Sequence, residues 1–453
     1  MIEDLKPYPE YKDSGVSWLG EVPEHWDVRR LKYLLRERDV RSADGSEQLL
    51  RVSQYAGVTE RKQIKGDNGL DSRAESLVGY KLVERNDLVV NIMLAWNGSM
   101  GVSEFPGVAS PAYCVYHFRR EAHPWYFHNL LRSPSYKARI KAVSTGVVES
   151  RLRLYTDDLY RLEALFAPLP EQTSIVRFLD WAELRIRRVI RARQRRIKLL
   201  EERIAIMATE AMCHPAHRLE RISTIGVQQL RPVTRDNDQC YVALGLYNRG
   251  RGLFHKPLTL GADLGDSNFY WVQPGDLVIS GQFAWEGAVA LASAYEQDTI
   301  VSHRYYLIRG REGIATTPYL WAVLRSDFGD MVLDQHSRGA AGRNRPLNLR
   351  KLMKEKIPVP PYDEQLAIDA LMKSIAPIRY NAEREIALLR EFRTRLIADV
   401  VTGKLDVREV ATKLPDEPAE EEAEPLGEEM ASESEEPVDG EGAESFEEEE
   451  TAS

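Results

Sequence analysis

Asn86-Asp87-Leu88-Val89-Val90, followed by Ala95-Trp96-Asn97-Gly98, returns as Gly275-Asp276-Leu277-Val278-Ile279 followed by Ala284-Trp285-Glu286-Gly287. Asp87 to Asp276, Trp96 to Trp285 and Gly98 to Gly287 are each a shift of 189 residues, so no gap interrupts the block. A period this long exceeds the roughly 20–50 residues of solenoid repeats and signals a duplicated domain. Upstream, Arg51-Val52-Ser53-Gln54-Tyr55 corresponds to Ala243-Leu244-Gly245-Leu246-Tyr247 in the same order. Downstream, Pro168-Leu169-Pro170-Glu171-Gln172 opens one helical run, and Pro358-Val359-Pro360-Pro361-Tyr362-Asp363-Glu364-Gln365 opens another. The expected body has two similar halves, a form suited to a target made of two separated parts.

Short β-prone runs such as Asp87–Met93 and Tyr113–Phe118 lie between Gly, Asn, Ser and Pro clusters, as strands between loops should. Tyr241–Leu246, Asp276–Ser280 and Arg304–Ile308 read the same way in the second half. The expected class is α+β, with two strand-rich domains at 1–167 and 214–357. Helices at 168–213 and 358–412 separate them, and an acidic tail occupies 413–453.

The helices carry apolar seams. Ile175, Leu179, Ala182, Ile186 and Ile190 lead into Arg193, Ile197, Leu200, Ile204, Met207 and Ala211. The steps from Ile190 alternate between three and four, a heptad pattern. The second seam runs Ile368, Leu371, Ile375, Ile378, Ala382, Ile386, Leu389, Phe392, Leu396 and Val400, with Gly403 as C-cap. Pro377 predicts a kink or a division into two pieces. From Leu184 to Arg203 there are nine Lys or Arg and two Glu, so one narrow apolar stripe faces a charged surface. Each helix needs a partner, and the other one is the nearest: an antiparallel coiled coil is expected. Two amphipathic helices packed separately on their own domains are the alternative.

The net charge of -9 comes from the tail. Residues 415–453 hold 18 acidic side chains and no Lys or Arg, leaving 61 basic against 52 acidic, or +9, over 1–414. The tail composition predicts disorder, as a solubilising segment or as a DNA mimic that competes for a basic body. No apolar run approaches a membrane span, and the start of the chain has no secretory pattern. Three scattered cysteines, Cys114, Cys213 and Cys240, fit packing roles in a reducing cytoplasm rather than a disulfide framework or zinc cluster.

Enzyme signatures are missing. There is no phosphate-binding Gly-x-x-x-x-Gly-Lys loop. Val359-Pro360-Pro361-Tyr362 resembles the Asn/Asp-Pro-Pro-Tyr loop of adenine methyltransferases, but valine cannot accept a hydrogen bond from the target amino group. Without a Gly-rich S-adenosylmethionine loop it reads as a Pro-rich linker. Glu60-Arg61-Lys62 lacks the Pro-Asp partner of a nuclease motif, and the nine histidines show no metal-ligand spacing. No catalytic residue and no metal site are expected.

For DNA contact the candidates are loop residues able to reach phosphates or base edges. In the first half these are Asn91, Trp96, Asn97, Arg151 and Arg153; in the second, Gln282, Trp285, His303, Arg304, Arg338, Arg343, Asn344 and Arg345. The blander reading makes Trp96 and Trp285 core or loop anchors rather than base-stacking residues. Candidates for helix pairing or subunit docking are Ile186, Ile190, Ile197, Leu200, Ile204, Ile386, Leu389 and Leu396.

The opening Tyr11-Lys12-Asp13-Ser14-Gly15-Val16-Ser17-Trp18-Leu19-Gly20-Glu21-Val22-Pro23-Glu24-His25-Trp26 resembles that of type I restriction–modification specificity subunits. Gly98–Gly101 leading to Ser110–Tyr113, Pro168–Gln172, and Val400-Val401-Thr402-Gly403-Lys404-Leu405-Asp406-Val407 carry the same resemblance, which spans about residues 8–410. It implies two target-recognition domains, each reading half of a split double-stranded DNA site, with the helices setting the spacer. It also implies two methyltransferase (M) subunits docked on the helices, restriction (R) subunits joining them, and no membrane. S-adenosylmethionine, ATP and Mg would sit on those partners, and none on this chain. Two alternatives remain, the recognition part of a related system that cuts on both sides of its site and a coiled-coil scaffold binding proteins; a stand-alone methyltransferase fails on the missing cofactor loop.

Overall fold

The computed structural model describes residues 5–61, 76–146, 152–213, 217–248, 250, 252–265, 267–338 and 345–415. The expected disordered tail falls almost wholly outside them. The chain forms two compact units. One takes Met1–Arg191 and returns at Ile386; the other is Ala192–Glu385, so both long helices are shared between units.

Each unit is built on a four-stranded antiparallel sheet. In the first unit the order is Leu35–Glu37, Tyr113–Phe118, Leu88–Asn91, Met100–Val102. In the second it is Gly226–Gln228, Tyr305–Gly310, Leu277–Ser280, Val289–Leu291. The unbroken apolar runs of the sequence follow from burial of both faces. Leu88 and Val90 enter one core with Tyr116 and Phe118, while Val89 enters a second core with Leu50, Val52, Val58 and Val115. Leu277 and Ile279 against Val278 divide in the same way. Side chains alternate across a strand, so three consecutive apolar residues mean two cores rather than one. Burying each such side chain is worth roughly 1.5–3 kcal/mol.

A hairpin covers one face: Leu50–Ser53 with Gly57–Glu60, and Leu244–Tyr247 with Gly252–His255. Two short helices cover the other: Pro124–Leu131 and Pro134–Val143, and Thr317–Leu324 and Asp327–His336. Proline stands in the first turn of three of these four, where no helical N–H bond is lost. A strand pair then leads into each long helix: Asp27–Arg30 with Glu163–Phe166, and Arg218–Arg221 with Lys356–Val359. The Pro-Pro-Tyr segment is therefore a strand-to-helix entry, as its reading as a linker expects.

The entry is locked identically in both units by a buried glutamine. Gln172 accepts from the His123 N–H at 2.8 Å and donates to the Ala167 carbonyl at 2.7 Å. Gln365 accepts from the Thr316 N–H at 2.9 Å and donates to the Pro360 carbonyl at 2.9 Å. The preceding carboxylate differs. Buried Glu171 accepts from Tyr8, from Trp26 Nε1 at 3.0 Å and pairs with His25 at 2.7 Å, tying the opening segment to the helix, whereas Glu364 is exposed. Asp406 bridges back to Lys6, and Gly403, at φ +78°, turns the chain where a Cβ would strike Pro23.

The long helices run Leu169–Cys213 and Tyr362–Val401. In the first unit Ile186, Ile190, Ile386 and Leu389 form a small core, and Glu183 pairs with Arg393 at 3.3 Å. In the second, Arg193 meets Glu385 at 2.6 Å and Glu201 meets Arg379 at 3.1 Å. In each unit ascending numbers on one segment meet descending numbers on the other, so the segments run antiparallel. Two expectations need correction. Pro377 lies inside one unbroken helix rather than dividing it; buried Ile375 and Ala382 hold the chain helical on both sides. Phe392 is exposed, because the neighbouring Arg393 takes the inward place to meet Glu183.

Cys240 is exposed rather than packed, and Cys114 is half-buried beside Thr156. No helix among the described residues is long and apolar enough to cross a membrane.

Candidate nucleic-acid interface

The duplicated Trp blocks form the same device twice. After Leu88–Asn91 the chain makes a 3-10 turn, Ala95–Asn97, closed by Gly98 at φ +97°. After Leu277–Ser280 it makes Ala284–Glu286, closed by Gly287 at φ +72°. Glycine is needed at both because a side chain resists the left-handed conformation. Beside each turn stands the base of a loop. Leu154 N–H bonds to the Ile92 carbonyl at 2.9 Å and Leu347 N–H to the Gly281 carbonyl at 2.7 Å. One bridge closes each base, Thr145 to Arg153 and Ser337 to Leu347. The two arginine-bearing loops thus spring from equivalent places, with Arg151, Arg343 and Asn344 outside the described residues.

Of the remaining candidates, some are structural. Asn91 is buried, its Oδ1 accepting from the Met93 N–H at 3.2 Å. Asn97 Oδ1 accepts from Ser99 N–H and Oγ, fixing the turn. Trp96 donates to the Met93 carbonyl at 3.2 Å and anchors its loop, with the Lys141 ammonium 5.4 Å from its ring centre. Trp285 carries the Arg345 guanidinium at 4.8 Å, and Arg345 also meets Asp334 at 2.8 Å. Gln282 and Arg304 are half-buried; the Arg304 carbonyl accepts from Gly281 N–H at 2.7 Å. Arg153, His303 and Arg338 are exposed. The structure gathers Trp96 with Lys141, and Trp285 with Arg345 and Asp334; among the described residues neither His303 nor Arg338 joins either group.

Behind the first turn lies a residue the sequence reading missed. Arg132 donates to five carbonyls, those of Ser53, Gln54, Tyr55, Gly98 and Met100, at 2.5–3.4 Å. Burial, with Arg393 nearby, pushes its guanidinium down to about 10. It staples the hairpin tip to the Trp turn. No periodicity marks such a role, since the partners are backbone atoms.

A second omission is an open groove of about 630 Å³ in the first unit, lined by Lys32, Arg36, His117, Arg119, Arg120 and Tyr160. Strand register places Arg36 opposite His117. The adjacent Arg119-Arg120 was the available signal. In the second unit the same register places Val227 opposite Arg309, and Arg309 is bound to Asp276 at 2.5 Å. Val227 and an ion-paired Arg309 thus replace Arg36 and His117.

Among the described residues no group of three or more His, Cys, Asp or Glu side chains could hold a metal ion.

No family model and no curated protein matches the chain. Solved structures do. A chain from a study of complex assembly and conformational transition of the type I R-M system is 17% identical, with 84% of this chain and 98% of that one covered and a TM-score of 0.50. The fold is shared with that chain. The HsdS subunit from Thermoanaerobacter tengcongensis is 18% identical over 84% of this chain and 98% of its own, with a TM-score of 0.37. The type I restriction-modification S subunit from M. genitalium is 11% identical over 83% and 96%, with a TM-score of 0.43.

Proposed function

We propose that this chain is the DNA-sequence specificity subunit of a type I restriction–modification complex, without catalytic activity of its own. Each unit reads one half of a bipartite double-stranded site, and the long helices set the spacer. Two M subunits dock on the helices and methylate adenine from S-adenosylmethionine; R subunits add ATP- and Mg-dependent cleavage. The observation that carries this reading is the duplicated Trp turn and loop base, once per unit, on the fold shared with a type I R-M subunit. Two equivalent loop platforms suit one target read at two places. Arg153, His303, Arg338 and Arg345 are the described candidates for phosphate or base contact, and Arg151, Arg343 and Asn344 extend them along the loops.

The test exchanges residues 214–357 for the equivalent domain of a relative, in the complex assembled with its methyltransferase, and maps methylated adenines genome-wide. One half-site should change and the other stay. Change in both, or in neither, refutes the two-reader assignment.

A further inference from the structure

The groove of Lys32, Arg36, His117, Arg119 and Arg120 has no use in the reading above. It lies at the Leu35–Glu37 edge of the first sheet, and the Trp turn leads into the opposite edge strand, Met100–Val102. A DNA reader built twice should present its DNA-binding surface twice, yet in the second unit Val227 and Glu312 stand in the places of Arg36 and Arg120, and the two arginines that remain are engaged. Arg309 is held by Asp276, and Arg311 donates to the Thr224 carbonyl at 2.9 Å. In the first unit several nearby carboxylates are already engaged: Glu84 with Arg38, Glu121 with Arg29, and Asp158 with Arg161. Asp87 faces His117 and Arg38, while Glu37 stands next to Tyr160, which hydrogen-bonds its N–H at 2.8 Å. Among the described residues Arg36, Arg119 and Arg120 form no ion pair, and all three are exposed.

The sequence itself supplies a polyanion to match this groove. Residues 416–453 carry 18 acidic side chains and no Lys or Arg. The last described residues are fixed to the first unit: Leu414 is buried in its core, and Arg177 donates to the Leu414 carbonyl at 2.6 Å and to the Pro415 carbonyl at 3.2 Å. A segment of 38 residues spans at most roughly 130 Å, so reach is no obstacle. Tethering to the same unit supplies an effective concentration of the order of millimolar, which free DNA must exceed. We propose that the acidic C-terminal segment docks in this groove, as a salt-sensitive intramolecular contact that shields the first unit from non-specific polyanions.

Carbodiimide cross-linking of the full chain tests this, because Lys32 is the only lysine among the described residues that line the groove. At low salt, peptide mapping should find Lys32 joined to carboxylates of 416–453 roughly tenfold more often than exposed Lys198 or Lys351, and high salt should abolish the preference. The full-length triple variant Arg36→Gln, Arg119→Gln, Arg120→Gln, checked for unchanged thermal unfolding, should lose it too. Even linkage across lysines, or linkage unchanged in the variant, overturns the proposal. So does a variant that loses non-specific DNA affinity while the wild-type chain shows no Lys32 linkage, which would give the groove to DNA. The salt series on the wild-type chain decides the matter even if the variant misfolds. None of these outcomes depends on which sequence the assembled complex recognises.

Discussion

On the helix packed behind each Trp turn, the two halves carry opposite charges at equivalent positions. Counting from the N-caps Ser133 and Ser326, the first half has Lys137 and Lys141 where the second has Asp330 and Asp334. Lys141 supplies the cation beside Trp96 directly, whereas Asp334 holds Arg345, which supplies it to Trp285. The aspartates that begin the central strands differ too. Both are fully buried, and both accept from the N–H three residues back, of Glu84 and Gln273, at 2.8 Å. Asp276 is then clamped by Arg231 at 2.7 and 2.9 Å and by Arg309, whereas among the described residues the cations beside Asp87 are Arg38 at 3.7 Å and His117 at 3.3 Å. Backbone geometry survived duplication while the charges around it were rewritten. A surface rewritten on a fixed frame is what two readers of different half-sites would require.

The clamp gives the largest expected difference. Asp276→Ala leaves two guanidiniums around a buried hole and should cost about 3 kcal/mol, the low end for a broken buried pair because both arginines keep some water. Asp87→Ala loses chiefly the turn hydrogen bond, since Arg38 keeps Glu84, and should cost about 1–2 kcal/mol. Urea unfolding of the two variants measures the gap. Equal losses would mean that the arginines around Asp276 add nothing beyond the turn.

The residue before each aspartate sharpens the comparison on a smaller scale. Asn86 sits at φ +72° and Gly275 at φ +87°. Asparagine tolerates this left-handed region and alanine does not, so Gly275→Ala should cost about 1 kcal/mol and Asn86→Gly a few tenths. No neighbour lies within 4 Å of a Cβ at Gly275, so any loss reports conformation and not crowding. A neutral Gly275→Ala would show that the turn can relax.

The features legible in the sequence were those encoded by local period. Leu88-Val89-Val90 and Leu277-Val278-Ile279 marked the central strands, and Pro-x-x-Glu-Gln and Pro-Tyr-Asp-Glu-Gln marked the helix entries. The helix seam was legible in part. Ile186, Ile190, Ile386 and Leu389 do form a core of their own, but Leu396 joins the core of the first unit and Ile204 that of the second. Leu200 packs beside the same second core, and Ile197 is half-buried. A heptad pattern shows which residues face inward, not what they face. Arg132 escaped notice because its partners are carbonyls, and the groove because strand register, not proximity in sequence, joins Arg36 to His117. The exchange of Lys137 and Lys141 for Asp330 and Asp334 was hidden by an offset that grows from 189 at the tryptophans to 193 at the serine caps.

The smallest expected effect concerns Asp87 and pH. Burial raises its carboxyl above the usual aspartate range, against the Glu84 N–H, His117 and Arg38, which favour the charged form. The folded chain therefore holds this proton more tightly than the unfolded chain. By linkage, stability from this group is fully present below the ordinary carboxyl value and is lost as pH rises through the raised one. Asp87→Asn removes the titration while nearly keeping the shape. The stability of the wild-type chain minus that of Asp87→Asn should thus increase in favour of the wild type as pH falls from neutral toward the ordinary aspartate range. Taking the difference at each pH cancels the carboxylates common to both proteins. A His117→Gln background removes the imidazole that pairs with Asp87 at 3.3 Å, leaving the carboxyl with Arg38 and the turn N–H. A flat difference in that background, or one of opposite sign, would mean that Arg38 and the turn N–H outweigh burial. Asp87 would then be a clamped carboxylate like its counterpart.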